Sequence, residues 1–317
     1  MAFTGFVLSA CSLVSFETLM TQSDQLVKEG KYTEALAVLN EALEKKPLHP
    51  FALRRRAAIY LHNGALDKAA SDIITASNAS DESQQDTGER LLLSELKRDL
   101  DNHYLNNAQY ALKQYNYQEA VLWATKSINI DPNKASNYHY RGVLRDKNED
   151  HYGAIEDLSK SIAMNQKAGA SPNINSYSTR SSAYADIGKY TLALKDANYA
   201  ISLDTSHANS YHNRGYIRRK LGDYTGALAD FQKADSLEPN NSATLMQIAD
   251  TLNTIGVNRG NHGDTSGECS AYDEALSYIS RAKEIALKGD PSLYERIMNS
   301  GRTISSNRSK TACDSSW

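Results

Sequence analysis

The stretch YHNRGYIRRKLGDYTGALADFQKADSLEP, residues 211–239, has the pattern of two helices joined by a short turn. Small and bulky residues recur in it at fixed offsets, and Gly222 stands where the first helix must stop. One residue departs from the pattern, because Arg214 occupies a position where a helix–helix core would hold leucine. The same pattern occurs elsewhere in the chain, and comparing its occurrences explains why an arginine stands at this position.

The same frame recurs along the chain in units of 34 residues. Copies one and two occupy residues 16–83, copies three and four 101–168, and copies five and six 174–241. A seventh copy, over residues 242–287, is split by an insertion. Position 20 of the unit is alanine in all seven copies, and positions 8 and 27 hold only Ala, Ser or Gly. Such small residues let two antiparallel helices approach closely.

This frame resembles that of the tetratricopeptide repeat (TPR) family, from Phe16 to about Leu287. Pro47, Pro132 and Pro239 close three copies at the place usual for the family. The resemblance implies an all-α, right-handed TPR solenoid of about seven helix–turn–helix repeats, with a C-terminal capping helix over residues 288–300. It also implies a concave groove, lined by the first helices, that binds a peptide or a partner helix.

Arg214 is one of four arginines at position 7, and the same four copies carry aspartate at position 23. If position 7 is compared with position 23 of a neighbouring copy instead, arginine and aspartate no longer occur together in every case. The pattern therefore predicts an ion pair between the two helices of one repeat, with the guanidinium fork holding the carboxylate. A solvent-facing anion site would explain the arginine but not its aspartate. The predicted pairs are Arg56–Asp72, Arg141–Asp157, Arg180–Asp196 and Arg214–Asp230.

Three segments lie outside the uninterrupted frame. Residues 84–100 carry Leu93, Leu96 and Leu100 at helical spacing, which predicts a helical insertion that extends the first helix of copy three backwards. A docking helix for a partner is the alternative. Residues 257–271 are rich in Gly, Asn, Asp and Ser, which predicts a flexible loop that splits copy seven. The polar composition of residues 301–317 predicts a disordered tail.

Charge and motifs argue against several functions. The net charge is −3 with 23% charged residues, so no basic excess favours nucleic acid. The sequence has no GxxxxGK[ST], GxSxG, HExxH or CxxC motif. His262, Asp264 and Glu268 could hold a metal, but the composition of a loop explains them equally well. We therefore expect no cofactor, no metal and no enzymatic activity.

The resemblance places candidate partner-binding residues at positions 2, 5, 9 and 12 of the first helices. Their side chains are mostly neutral and polar, which suits a protein or peptide ligand. Ordinary solvent exposure is the alternative interpretation for any one of them. The candidates are Asn102, Gln109, His139, Asn175, Ser178, Ser182, Asn209, His212, Tyr216, Arg219 and Asp250.

The beginning of the sequence bears on localisation. The segment MAFTGFVLSACSL has no charged residue, and its Leu8-Ser9-Ala10-Cys11 resembles the lipobox of bacterial lipoproteins. The resemblance implies lipidation of Cys11 and attachment to the bacterial cell envelope. Residues 1–15 are thus interpreted as a truncated lipoprotein signal, or alternatively as an apolar segment that caps copy one of a cytoplasmic adaptor. In an oxidising compartment Cys269 and Cys313 could form a disulfide, whereas in the cytoplasm both would stay thiols.

Overall fold

The computed structural model describes residues 14–79, 87–286, 291–311 and 313, which form fifteen α-helices and no β-strand. The predicted all-α fold is confirmed. None of the described helices combines the length and the apolar run that crossing a bilayer requires. The helices are α1 (Phe16–Lys28), α2 (Tyr32–Lys45), α3 (Pro50–His62), α4 (Leu66–Ala79), α5 (Thr87–Lys113), α6 (Tyr117–Ile130), α7 (Ala135–Lys147), α8 (His151–Lys167), α9 (Ile174–Asp186), α10 (Tyr190–Leu203), α11 (Ala208–Lys220), α12 (Tyr224–Leu237), α13 (Ser242–Asn261), α14 (Thr265–Ala286) and α15 (Pro291–Lys310).

Helices α1 to α14 form seven pairs, one for each predicted copy, and the small positions lie where the two helices of a pair meet. A β-carbon added to Gly142 would lie 2.8 Å from Leu158 Cγ, and one added to Gly215 would lie 3.0 Å from the Phe231 ring. A larger residue at position 8 would therefore force the helices apart. The position-20 alanines, which have no exposed surface, are Ala35, Ala69, Ala120, Ala154, Ala193, Ala227 and Ala275.

The helices divide into two compact units between Asn137 and Tyr138. In the first unit, the predicted insertion at residues 84–100 lies mostly within α5, one continuous helix of 27 residues that begins at Thr87. Leu93, Leu96 and Leu100 are buried in one cluster with Ile73. The structure thus agrees with the helix extension, and its leucine face packs within the first unit.

In the second unit, the predicted loop at residues 257–271 is wrong. Helix α13 continues to Asn261 and α14 begins at Thr265, so the insertion lengthens both helices of copy seven. Gly256, which holds the position in copy seven that Gly222 holds in copy six, lies inside α13, where an added β-carbon would be 2.8 Å from the Tyr272 ring. The chain turns instead at Gly263, whose φ of +80° favours glycine.

This turn repeats one already used in copies four and six. Asp264 accepts a hydrogen bond from the Gly267 amide at 2.9 Å, and Arg259 Nη1 donates to the Gly267 carbonyl at 3.1 Å. A β-carbon at Gly267 would lie 2.1 Å from Asp264 Oδ2, so the capping aspartate requires a glycine here. The same spacing and contacts join Arg145, Asp150 and Gly153 in copy four, and Arg218, Asp223 and Gly226 in copy six.

The end of the chain also differs from the prediction. The capping helix α15 extends to Lys310, beyond the predicted end at residue 300, so much of the expected disordered tail is helical. Ile297 and Ile304 have no exposed surface and belong to the same core cluster as Ile279. Their apolar stripe orders the segment, although most of its residues are polar. After α15, Cys313 forms a disulfide with Cys269.

The structure contains all four predicted ion pairs. In each, Nε and Nη2 of the arginine donate to the two carboxylate oxygens at 2.7–2.9 Å. The four aspartates are buried. Asp157 and Asp230 each receive a second guanidinium, from Arg145 and Arg218 at 2.9 and 2.7 Å. Arg214 is therefore a structural residue that joins the two helices of its repeat.

Three of these arginines also contact the preceding copy. The third guanidinium nitrogen, Nη1, donates to position 25 of that copy, on its second helix. The contacts are Arg56 to Asn40 Oδ1 at 2.7 Å, Arg180 to Ser159 Oγ at 3.0 Å, and Arg214 to Asn198 Oδ1 at 3.0 Å. One side chain thus connects three helices.

Candidate functional site

The candidate site is the first-helix face of the second unit, formed by α9, α11 and α13 with the part of α7 from Tyr138 onward. A polar cavity of about 270 Å³ opens between α7, α9 and α11. It brings together four predicted residues, namely Asn175, Ser178, Ser182 and Asn209, and adds Asn213. The only charged side chains in its lining, within the described chain, are Asp146 and Lys147.

Two predicted groove residues, His139 and His212, connect successive copies. His139 Nδ1 is hydrogen-bonded to Ser176 Oγ, and His212 Nδ1 to Thr244 Oγ1, both at 2.9 Å. Burial lowers the pKa of the His139 imidazole and lowers that of His212 from 6.5 to about 4. Each hydroxyl partner stands at position 3 of the next copy, so this ring nitrogen of each histidine is already used inside the protein.

Two further hydrogen bonds involve residues that line the cavity. Asn213 Nδ2 donates to the Ser178 carbonyl at 2.8 Å, and Asn175 Oδ1 is hydrogen-bonded to His207 Nε2 at 2.9 Å. Ser178 is 3% exposed, so it shapes the floor and offers little surface to a partner. Asn209 is exposed. The Asn213 amide is thus oriented by the preceding copy, and the Asn175 amide by the last residue of its own copy.

The remaining predicted residues of the second unit lie further along the same face. Tyr216 donates its hydroxyl to Asp186 Oδ1 at 3.2 Å, and burial raises its pKa. Arg219 and Asp250 line a separate cavity of about 400 Å³ between α11, α13 and α15. Asp250 Oδ1 accepts a hydrogen bond from Ser300 Oγ at 2.7 Å, and burial raises the pKa of its carboxyl.

Asn102 and Gln109 stand apart from these cavities. Both lie on α5 in the first unit, and both are exposed. The first unit is a separate compact body, and its groove residues are therefore considered by themselves. They offer two exposed amides to a ligand of that unit.

One cluster could hold a divalent cation. Ligand atoms of Asp146, His151 and Asp186 lie within 4.8 Å of one another, and His151 Nδ1 is 3.0 Å from Asp146 Oδ1. Burial raises the pKa of the Asp146 carboxyl, an effect that its hydrogen bond to His151 partly offsets. A set of one imidazole and two carboxylates suits several transition metals. The sequence prediction of no metal did not consider this cluster, because its members come from three helices.

The loop residues that sequence reasoning weighed as metal ligands serve the fold. Asp264 caps α14, and His262 Nδ1 is hydrogen-bonded to the Asn258 carbonyl at 2.6 Å. Glu268 Oε1 accepts from the Tyr272 hydroxyl at 2.9 Å and from Thr311 at 3.0 Å. These contacts hold the turn and the end of α15 in place.

A larger cavity, about 980 Å³, lies between α8 and α10 over α9, and sequence reasoning missed it. Tyr177, Tyr184 and Tyr199 line it, and Tyr199 is 40% exposed. The spacing between copies could have indicated this cavity. Copies four and five begin at residues 135 and 174, which is five residues more than the repeat unit of 34. The extra residues lengthen α8 to 17 residues, against 14 in α10.

Comparisons with known proteins place the chain among repeat proteins. Two tetratricopeptide repeat models match residues 20–83 and 208–241. The crystal structure of a thermophilic TPR protein from Thermus thermophilus superposes with a TM-score of 0.51 at 19% identity, covering 63% of this chain and 98% of that one. This likeness shows the fold alone.

Two further relatives are more distant or partial. A tetratricopeptide repeat protein from Parabacteroides merdae has a TM-score of 0.49 at 15% identity, covering 90% of this chain and 98% of that one. The human Tetratricopeptide repeat protein 16 is 28% identical over 117 residues. The aligned segment is 37% of this chain and spans only 13% of that protein.

Proposed function

Because this chain is a tetratricopeptide repeat (TPR) protein, we propose that it is a scaffold without catalytic activity that binds a peptide segment of a protein partner. The segment lies on the first-helix face of the second unit. A fold alone does not assign a ligand. The observation that carries the proposal is the polar cavity between α7, α9 and α11, with its lining of amides and hydroxyls.

The chemistry of this lining suits a polypeptide main chain. A side-chain amide carries a carbonyl acceptor and an NH₂ donor, so Asn209 can pair with both the C=O and the N–H of a peptide group. Asn213 Nδ2 already donates to the carbonyl and the hydroxyl of Ser178, so Asn213 offers its Oδ1 to a peptide N–H. Main-chain pairing supplies affinity for an extended segment with little dependence on its sequence. Asn213 is already held by Ser178, which reduces the entropy lost when a ligand binds.

Replacing the exposed amide in the cavity is expected to weaken peptide binding. Peptides selected from a random library on the full chain are titrated by fluorescence anisotropy against Asn209→Ala and Ser182→Ala. Loss of one hydrogen bond of about 1 kcal/mol raises Kd roughly fivefold. Gln232→Ala, which removes an exposed amide from α12, is the matched control and leaves Kd unchanged. Unchanged Kd in both cavity variants would refute the proposal.

We further propose that the scaffold is attached to the bacterial cell envelope through a lipid on Cys11. Support comes from the Leu8-Ser9-Ala10-Cys11 motif. The Cys269–Cys313 disulfide is consistent with this location, because disulfides persist in oxidising compartments and are rare in the cytoplasm. A cytoplasmic adaptor or regulatory subunit without an anchor is the alternative.

The intact mass of the mature protein tests this attachment. The gene is expressed with its native upstream sequence in a bacterial host, and membrane and soluble fractions are analysed separately. A mass that corresponds to cleavage before Cys11 plus acyl chains, found in the membrane fraction, is expected. Cys11→Ala, the matched control, should abolish the mass increase. An unmodified chain in the soluble fraction would favour the cytoplasmic adaptor.

A further inference from the structure

We propose that Asp146, His151 and Asp186 form a binding site for a divalent transition-metal ion of the zinc type. The three residues lie on α7, α8 and α9, so a bound ion joins both helices of copy four to the first helix of copy five. One imidazole and two carboxylates are ligands that such ions accept. The inference goes beyond the proposed function and does not depend on peptide binding.

The distances among the three side chains suit a single ion. Their ligand atoms all lie within 4.8 Å of one another, and His151 Nδ1 is 3.0 Å from Asp146 Oδ1 and 4.0 Å from Asp186 Oδ2. Imidazole nitrogen and carboxylate oxygen bind zinc at about 2.0–2.2 Å, which places the ligands of one ion about 3–4 Å apart. The atoms are therefore close to coordinating positions already. Three protein ligands leave a further position for water.

A contrast among the aspartates of the second unit concerns the charge of this site. Within the described residues, neither Asp146 nor Asp186 forms an ion pair with a lysine or an arginine. The aspartates that join the two helices of a repeat each hold a guanidinium, as Asp157 does with Arg141 at 2.7 Å. Two carboxylates this close repel each other, and a divalent cation between them removes the repulsion.

The helix ends add to the negative charge of the site. Asp146 lies in the last turn of α7, and Asp186 is the last residue of α9. The C-terminal end of a helix carries partial negative charge on its free carbonyl groups, so it disfavours a carboxylate and favours a cation. His151 begins α8, whose N-terminal end is partly positive, but this one end offsets only one of the other two. The local field therefore favours a cation.

A residue outside the cluster orients one of the ligands. The Tyr216 hydroxyl, on α11, donates to Asp186 Oδ1 at 3.2 Å, whereas Oδ2 of the same carboxylate is the atom 4.0 Å from His151 Nδ1. Carboxylates that bind metals are themselves hydrogen-bonded in this way, which fixes the direction of the coordinating oxygen. The side chains of Asp146, His151 and Asp186 are 17%, 25% and 29% exposed, so the site is shielded but open to an ion from solvent.

Zinc titration of the untagged full chain tests the site. Isothermal titration calorimetry near neutral pH should show saturable binding of one ion per chain. X-ray absorption at the zinc edge should then show a single imidazole among oxygen ligands. This spectrum is recorded on the unaltered protein, so it does not depend on whether any variant folds.

Variants assign the binding to these residues. His151→Ala and Asp186→Asn each should weaken zinc binding by more than about tenfold, because each removes a ligand and loss of an outer hydrogen bond alone costs about that much. Tyr216→Phe removes that outer bond and should weaken binding about tenfold with unchanged stoichiometry. Glu156→Gln, the matched control, removes an exposed carboxylate from α8 outside the cluster and should leave binding unchanged. Circular dichroism verifies that each variant is folded.

Three results would overturn the inference. They are the absence of saturable zinc binding, binding that both His151→Ala and Asp186→Asn leave unchanged, and a spectrum with two or more imidazole ligands. The last two would place the ion on other histidines of the chain. Peptide binding is measured separately in protein treated with a chelator, so that none of these results is confused with failure of the proposed function.

Discussion

Replacing Asp196 with leucine is expected to lower the free energy of unfolding of copy five by about 3–5 kcal/mol, because it leaves the Arg180 guanidinium without a carboxylate partner. The side chains of Arg180 and Asp196 are 16% and 8% exposed, so water replaces the lost contact poorly. Adding Arg180→Leu should recover much of the loss, since two apolar side chains can fill the space of a buried pair.

Hydrogen exchange of the amides in α9 and α10 measures this effect, because repeat proteins open copy by copy. Copy six is the matched comparison. If Arg214 is replaced there, Asp230 still accepts a hydrogen bond from Arg218 Nη1 at 2.7 Å. Arg214→Leu should therefore cost less than Arg180→Leu. The double variant Arg214→Leu/Asp230→Leu should recover less, because Arg218 then loses the Asp230 carboxylate and keeps only its longer contact of 3.7 Å with Asp223. Equal losses in the Asp196→Leu single variant and its double variant would contradict the role assigned to these pairs.

Reducing the Cys269–Cys313 disulfide is expected to destabilise α15 by about 2–4 kcal/mol, because the bond closes a long loop in the unfolded chain. The two cysteines are 44 residues apart. Ile297 and Ile304 still pack against the repeats after reduction, so α15 should open more often without leaving its place permanently.

Amide exchange with and without a reductant tests this expectation. Exchange in α15 should accelerate, while exchange in α9 and α10, which lie in another part of the second unit, should not change. The variant Cys269→Ser/Cys313→Ser should match the reduced protein and be insensitive to reductant. Equal protection of α15 in the oxidised and reduced protein would show that side-chain packing alone holds the helix.

The repeat frame could be predicted because every copy meets the same steric requirement. Position 20 is fully buried at the helix crossing in all seven copies, and no side chain larger than a methyl group occurs there. The ion pairs could be predicted for a related reason, because an arginine such as Arg214 in a core position needs a carboxylate partner. Asp230 follows Arg214 by 16 residues, and the same spacing recurs in the other copies that carry the arginine.

The sequence analysis missed the turn of copy seven because it used the polar composition of the segment and not the spacing of its arginine, aspartate and glycine. The segment from Arg259 to Gly267 has the same arginine, aspartate and glycine spacing as the segment from Arg218 to Gly226, and this signal predicts a turn. Its abundance of polar residues indicated a loop instead. Likewise, Ile297 and Ile304 are separated by seven residues, a helical spacing that continues into the segment assigned to a disordered tail.

Most of the site could not be predicted from one copy at a time. His212 seemed available to a ligand because its position faces the groove in the family, yet Thr244 of the next copy binds it. The cavity that contains Arg219 depends on α15, which has no counterpart in the repeat frame. Contacts between copies and contacts with the capping helix arise from tertiary packing and leave only a weak signal in the sequence.

The hydrogen bonds from arginine Nη1 to the preceding copy determine where the array can be divided. A truncation between copies five and six would separate Arg214 from Asn198 and leave a donor without its acceptor. Copy seven has Ile248 at the corresponding position, which makes no such bond. In a nearest-neighbour description of the array, the coupling energy between copies six and seven therefore lacks this polar contribution. A cut after copy six breaks no arginine bond of this kind, but it removes the Thr244 hydroxyl that is bonded to His212 and the apolar side chains of copy seven that belong to the same core cluster as Phe231.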